Sequence, residues 1–172
     1  MSHATFGRLE RGTLQNASIQ QYALACAAVG LKLVARAYPD GDPVRDAGHA
    51  RLLRRLRERT SGEVAWSYEV PLGLPGDLRA WDAQCLVGGA LMCVEAEMRL
   101  DDLQALERRI ALKRRDGGNP LVILLIADTE GNRRRVTAHR EALRSSFPLD
   151  SRVILAALGS GRAPTASGIA IL

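Results

Sequence analysis

Lysine is nearly absent from this chain of 172 residues: Lys32 and Lys113 are the only two, and arginine supplies the rest of the positive charge. Aromatic residues make up only 4% of the sequence, so any core must be mostly aliphatic. The three cysteines, Cys26, Cys85 and Cys93, stand at no metal-ligand spacing. Their pattern excludes a disulfide framework and implies free thiols in a reducing cytoplasm. The longest apolar runs, such as Pro120 to Ala127, fall well short of the roughly 20 residues that a membrane-spanning helix needs. The first residues lack the charged and then apolar order of a signal peptide. No glycine-rich phosphate loop, nucleophile elbow or catalytic triad pattern is visible.

What is present is the composition of a globular chain, 47% hydrophobic and 25% charged, long enough for one domain or one domain with a small appendage. A net charge of +5 and a basic isoelectric point favour a polyanionic partner. Arginine suits that task, because its planar fork matches phosphate oxygens.

Local signals divide the chain at Pro39-Asp40-Gly41-Asp42-Pro43, a strong turn. Before it, Ser2 caps a short helix that ends at Gly12, and Ser18 caps a second, Ile19 to Val29, stopped by Gly30. Leu31 to Tyr38 alternates as a short strand would. After the turn, Val44 to Arg59 reads as a helix with Leu52, Leu53 and Leu56 inward. Glu63 to Leu72 reads as a strand. Asp101 to Arg115 reads as an amphipathic helix with Leu103, Leu106, Ile110 and Ala111 inward. Leu121 to Ala127 has the continuous apolar character of a strand buried on both faces. Asn132 to Phe147 is expected as one helix, and Arg152 to Leu158 and Gly168 to Leu172 as further strands. Trp66 and Trp81 are expected in the core.

The most informative feature is the pair Gly88-Gly89 between two strand-like flanks. A two-residue Gly-Gly loop signals a hairpin, and closure there sets residues whose numbers sum to 177 opposite each other. Asp82 then faces Glu95, and Ala80 faces Glu97. Side chains two apart share a face, so Asp82, Glu95 and Glu97 are expected on one patch. Like charges opposed across a sheet are destabilising, and a divalent cation held by Asp82 and Glu95 is the simplest compensation. Cys85 and Cys93 point to opposite faces in this register.

The order after Pro43, with Asp82 on the second strand and Glu95-Ala96-Glu97 on the third, resembles the restriction-endonuclease-like, or PD-(D/E)XK, superfamily. The resemblance covers Val44 to Leu158. It implies an α/β fold with an α-β-β-β-α-β core, a Mg²⁺ or Mn²⁺ cofactor bound by Asp82 and Glu95, and a catalytic set of Asp82, Glu95, Glu97 and Lys113. Glu97 occupies the position where that superfamily carries lysine. Some members move the basic residue to the following helix, where Gln104 and Lys113 lie here.

Ser2 to Gly12 carries a second resemblance. Ser2, Thr5, Leu9, Glu10 and Gly12 match the recognition helix and exit of Xre-type, lambda-repressor-like helix-turn-helix domains. Those domains carry further helices before this one, so 1–42 is expected as a partial helix-turn-helix segment and connector, and 43–172 as the restriction-endonuclease-like domain. The resemblance implies double-stranded DNA as partner, contacted by Ser2, His3, Ala4, Thr5, Arg8 and Arg11, and a homodimer. The resulting expectation is a cytoplasmic DNA-binding protein, a transcriptional regulator with a nuclease-like second domain, active or inactive. A metal-dependent DNA nuclease is the first alternative, and a non-catalytic protein- or ligand-binding module the second.

Overall fold

A computed structural model describes residues 2–33, 43–118 and 120–172. The chain divides into two compact units, Met1–Gly41 and Asp42–Leu172. The first holds α1 (His3–Glu10) and α2 (Ile19–Ala28). Ser2 caps α1 by accepting from the Thr5 amide at 3.2 Å. Ser18 and Gln21 form a reciprocal capping box on α2. Neither helix buries a large side chain; Ala25 is the single buried residue of the pair. Residues 31–33 lie outside regular structure. The remainder of the expected strand to Tyr38 lies outside the described residues, as does the turn up to Asp42.

The second unit contains α3 (Pro43–Glu58), β1 (Ala65–Pro71), β2 (Ala80–Val87), β3 (Ala90–Glu97), α4 (Leu103–Asp116), β4 (Leu121–Ile126), α5 (Glu130–Ala138), α6 (Arg140–Ser146), α7 (Ser151–Gly159) and β5 (Gly168–Ile171). The five strands form one mixed sheet in the order β1-β2-β3-β4-β5, antiparallel across the first three and parallel across β3-β4-β5. The hairpin closes in the expected register, with Val87 opposite Ala90 and Ala83 opposite Val94. Gly88 and Gly89 both have positive φ, 54° and 79°, which the tight loop demands and a side chain would oppose.

Alternation along the strands builds two apolar layers. Met92, Val94, Ile123 and Leu125 pack with Leu52, Leu53 and Leu56 of α3 and Ile154 and Leu158 of α7. Cys93, Val122, Leu124 and Ile126 pack with Leu106 and Ile110 of α4, Val136 of α5 and Leu143 of α6. β4, between β3 and β5, is buried on both sides, as its unbroken apolar run predicts. Trp81 is fully enclosed, whereas Trp66 is only partly buried and stacks on Tyr68 with ring centroids 6.4 Å apart. Cys85 and Cys93 belong to opposite layers and are free.

Three local expectations are corrected. Residues 152–158 are helical, within α7, because Asp150 accepts from the Val153 amide and starts a helix there. Ile154 and Leu158, four apart, then enter one layer, while β5 takes the place beside β4. The segment from Asn132 to Phe147 breaks at His139, whose φ and ψ of −109° and 17° leave the helical range. The break is followed by a second helix that delivers Leu143 to the core. Ala111 is exposed, since the inward stripe of α4 continues from Ile110 to Lys113 instead. Among the described residues, no helix is long and apolar enough to cross a membrane.

Candidate acidic site on β2, β3 and α4

Side chains two apart on β3 share a face, so Glu95 and Glu97 follow Cys93 toward the α4 layer. α4 meets them with two cations four residues apart, Arg109 and Lys113, which therefore stand one turn apart on the helix surface. Lys113 Nζ donates to both oxygens of Glu95, at 2.7 and 2.9 Å, and to the Ala80 carbonyl at 2.8 Å. The Lys113 side chain is 8% exposed and that of Glu95 4%, so this is a buried ion pair. The ammonium also lies 5.3 Å from the Trp81 ring centroid, a cation–π contact. Arg109 forks across the two glutamates, donating to Glu95 at 3.3 Å and to Glu97 in a closer ion pair.

Asp82 behaves differently. The β2–β3 pairing begins at Ala83–Val94, and beyond it the Asp82 carboxylate accepts from the Ala96 amide at 2.7 Å. A side chain thus satisfies a strand donor where the main-chain ladder has stopped. Asp82 also lines a cavity of about 460 Å³ with His49, Leu53 and Arg54 of α3 and Tyr68 and Glu69 of β1. Glu69 adopts φ of 49°, a left-handed conformation uncommon for a residue with a side chain. The expected single patch of three carboxylates therefore resolves into a glutamate pair clamped by α4 and an aspartate turned to the backbone and the cavity.

Charge and burial compete here. Burial pushes the Glu95 carboxyl above its ordinary value, and the nearby Asp82 charge adds to this against the pull of Lys113 and Arg109. Burial likewise raises Glu97, opposed chiefly by Arg109. The same desolvation pushes the Cys85 thiol up to about 12. A divalent ion held by Asp82 and Glu95 would have to displace protein donors. Both Glu95 oxygens and one Asp82 oxygen already accept from protein donors, and among the described residues no three His, Cys, Asp or Glu side chains gather as ligands.

Lys113, singled out from sequence, does reach Glu95. Gln104 does not; it lines a separate cavity with Glu107 and His139. Sequence reasoning missed Arg109, although its four-residue spacing from Lys113 was a usable signal. It also missed the lining residues His49, Tyr68 and Glu69, which come together only through packing.

In the first unit, the Ser2 and Thr5 hydroxyls bond each other at 2.8 Å within the α1 cap. His3, Ala4, Arg8 and Arg11 are exposed, and Thr5 is half-buried. No protein-family model, curated protein or solved structure matches this chain.

Proposed function

We propose that this chain is a DNA-binding protein, a transcriptional regulator, whose second unit is a restriction-endonuclease-like domain that does not cut. The observation that carries the reading is the contact between Lys113 and Glu95. A helix, three antiparallel strands, a second helix and a parallel strand bring an acid from the third strand and a lysine from the following helix together. That is the arrangement a nuclease-like domain with a relocated lysine would have. Glu97 in the usual lysine position, and the engagement of both glutamates by Arg109 and Lys113, support the absence of cutting. DNA contact is assigned to α1, through Ser2, His3, Ala4, Thr5, Arg8 and Arg11, in a homodimeric assembly. Base edges would be read from the helix N-terminal part, and Arg8 and Arg11 would meet phosphates.

Gel-shift titration of the full chain against genomic duplex fragments tests this reading. Selective binding that weakens steeply with salt and is lost in Thr5→Ala and Arg8→Ala supports it. Equal affinity for every fragment, unaltered by either change, sinks it.

A second reading, metal-dependent cleavage of DNA, is favoured by the cavity against Asp82, whose lining includes His49 and Arg54. Incubation of the protein with plasmid, linear duplex and single-stranded DNA in Mg²⁺ or Mn²⁺ decides between the two. Cleavage that disappears in both Asp82→Ala and Glu95→Ala would make the protein a nuclease. Further loss in Lys113→Ala would assign the relocated lysine a part in it.

A further inference from the structure

The arginines of this chain fall into two classes once their partners are known. On α5, Arg133 pairs with Asp128, Arg134 with Glu130, and Arg135 with Asp101. Each arginine of the basic run at 133–135 thus has an acidic partner, with Asp101 shared between Arg135 and Arg99. On α3 the balance is different. Arg51, Arg54, Arg55 and Arg57, and Arg59 just past the helix end, are all exposed. Among the described residues, their one ion pair is Arg54 with Glu58, at 4.0 Å and about two-thirds exposed on both sides. Arg55 also lies in the field of Asp128, but that carboxylate is already bound by Arg133.

At 3.6 residues per turn, Arg51, Arg54 and Arg55 occupy an arc of about 100°, and Leu52, Leu53 and Leu56 hold the opposite side in the core. The apolar face fixes the helix on the sheet and so fixes the direction in which the arginines point. Neighbours three or four apart on a helix stand about 5–6 Å from each other, within reach of successive groups of a polyanion for long, forked side chains. Arg54 also lines the cavity that contains Asp82.

Resting on the DNA-binding reading, we infer that the outer face of α3, centred on Arg51, Arg54 and Arg55, is a second DNA-docking surface that grips the phosphate backbone of duplex DNA. Contacts to phosphate carry no base information, so α3 supplies affinity and orientation while sequence preference resides elsewhere. Arginine rather than lysine fits this role, because the fork can meet two phosphate oxygens together.

The test compares the full chain with Arg51→Gln/Arg54→Gln/Arg55→Gln and with Arg133→Gln/Arg134→Gln/Arg135→Gln. The two triple variants change net charge equally, and circular dichroism verifies that each remains folded. Fluorescence titration of a labelled duplex at several salt concentrations is the readout. The α3 variant is expected to lower the slope of log affinity against log salt by about 2.7, from about 0.9 for each of three phosphates that the protein ceases to neutralise. The α5 variant is expected to keep the slope of the wild type. Equal losses in both variants would reduce the effect to net charge and overturn the inference. So would an unchanged slope in the α3 variant, or a dependence on these arginines seen with single-stranded RNA and not with duplex DNA. An α3 variant that keeps its slope while Arg8→Ala loses binding would remove this surface alone. A wild-type chain that binds no duplex would remove the DNA-binding reading and the inference with it.

Discussion

Lys113→Met isolates the charge of the buried cation while retaining a long, flexible apolar side chain. The substitution leaves Glu95 enclosed, 4% exposed, with Arg109 at 3.3 Å as its remaining cation. It also removes the donor held by the Ala80 carbonyl at 2.8 Å. Breaking a buried pair from one side typically costs about 3–5 kcal/mol. Arg109 is half-exposed and continues to offset part of the Glu95 charge, so the lower end, about 3 kcal/mol, is expected at neutral pH. For a unit of this size that corresponds to a fall of roughly 10 °C in the melting midpoint. The pH dependence follows from the proton balance. The Glu95 carboxyl is already raised in the folded chain, and without Lys113 it rises further. A folded state that binds its proton more tightly than the unfolded chain gains stability as pH falls through the folded pKa. The penalty of Lys113→Met should therefore be largest near pH 7.5 and shrink toward pH 5. Removing both charges in Lys113→Met/Glu95→Gln should recover more than half of the loss at pH 7.5, because no uncompensated ion is then buried. Urea unfolding at the two pH values measures all of this. A loss that is the same at pH 7.5 and pH 5, or a double variant as unstable as the single, would refute the account of Glu95 as a carboxylate held charged by Lys113.

Three further outcomes are expected. Asn132→Leu should cost about 3 kcal/mol in urea unfolding, since orphaned buried groups cost about 1–3 kcal/mol each; the side chain receives the Leu100 amide and donates to the Met98 and Ala127 carbonyls. Gly168→Ala should cost about 1–3 kcal/mol by overpacking, because a Cβ there would stand 2.7 Å from Ile154 and 2.8 Å from Leu149; an unchanged thermal midpoint would show that α7 yields freely. In thiol labelling of the native protein, Cys26 should react first, while Cys85, enclosed and pushed up to about 12, and Cys93, also buried and raised, should wait for unfolding.

The helix caps at Ser2 and Ser18, the glycine hairpin and the buried strand β4 were legible because each rests on neighbouring residues alone. A hydroxyl meets an amide three residues on, two glycines adopt positive φ, and an unbroken apolar run needs cover on both faces. The register that follows from the hairpin also placed Cys85 and Cys93 on opposite faces. The segment 152–158, apolar after Arg152, was ambiguous for a physical reason. A short buried helix and a buried strand share the same composition, and only the pairing of β5 with β4 settles which segment enters the sheet. The break at His139 carries no proline or glycine to announce it.

The acidic residues and their spacing are properties of the sequence, but their state of charge balance is not. Arg109 and Lys113 reach Glu95 across 14 and 18 positions of chain. Asp82 accepts from the Ala96 amide, 14 positions away, only where the β2–β3 ladder has ended, and its charge still acts on Glu95. The same holds for the arginines. The run at 133–135 and the arginines on α3 are equally basic in sequence, yet folding gives each of the first an acidic partner and leaves most of the second without one among the described residues. Sequence alone determined which local elements could form and which residues carry charge. The tertiary structure decided which charges meet, because ion pairing acts over a few ångströms of space and takes no account of distance along the chain.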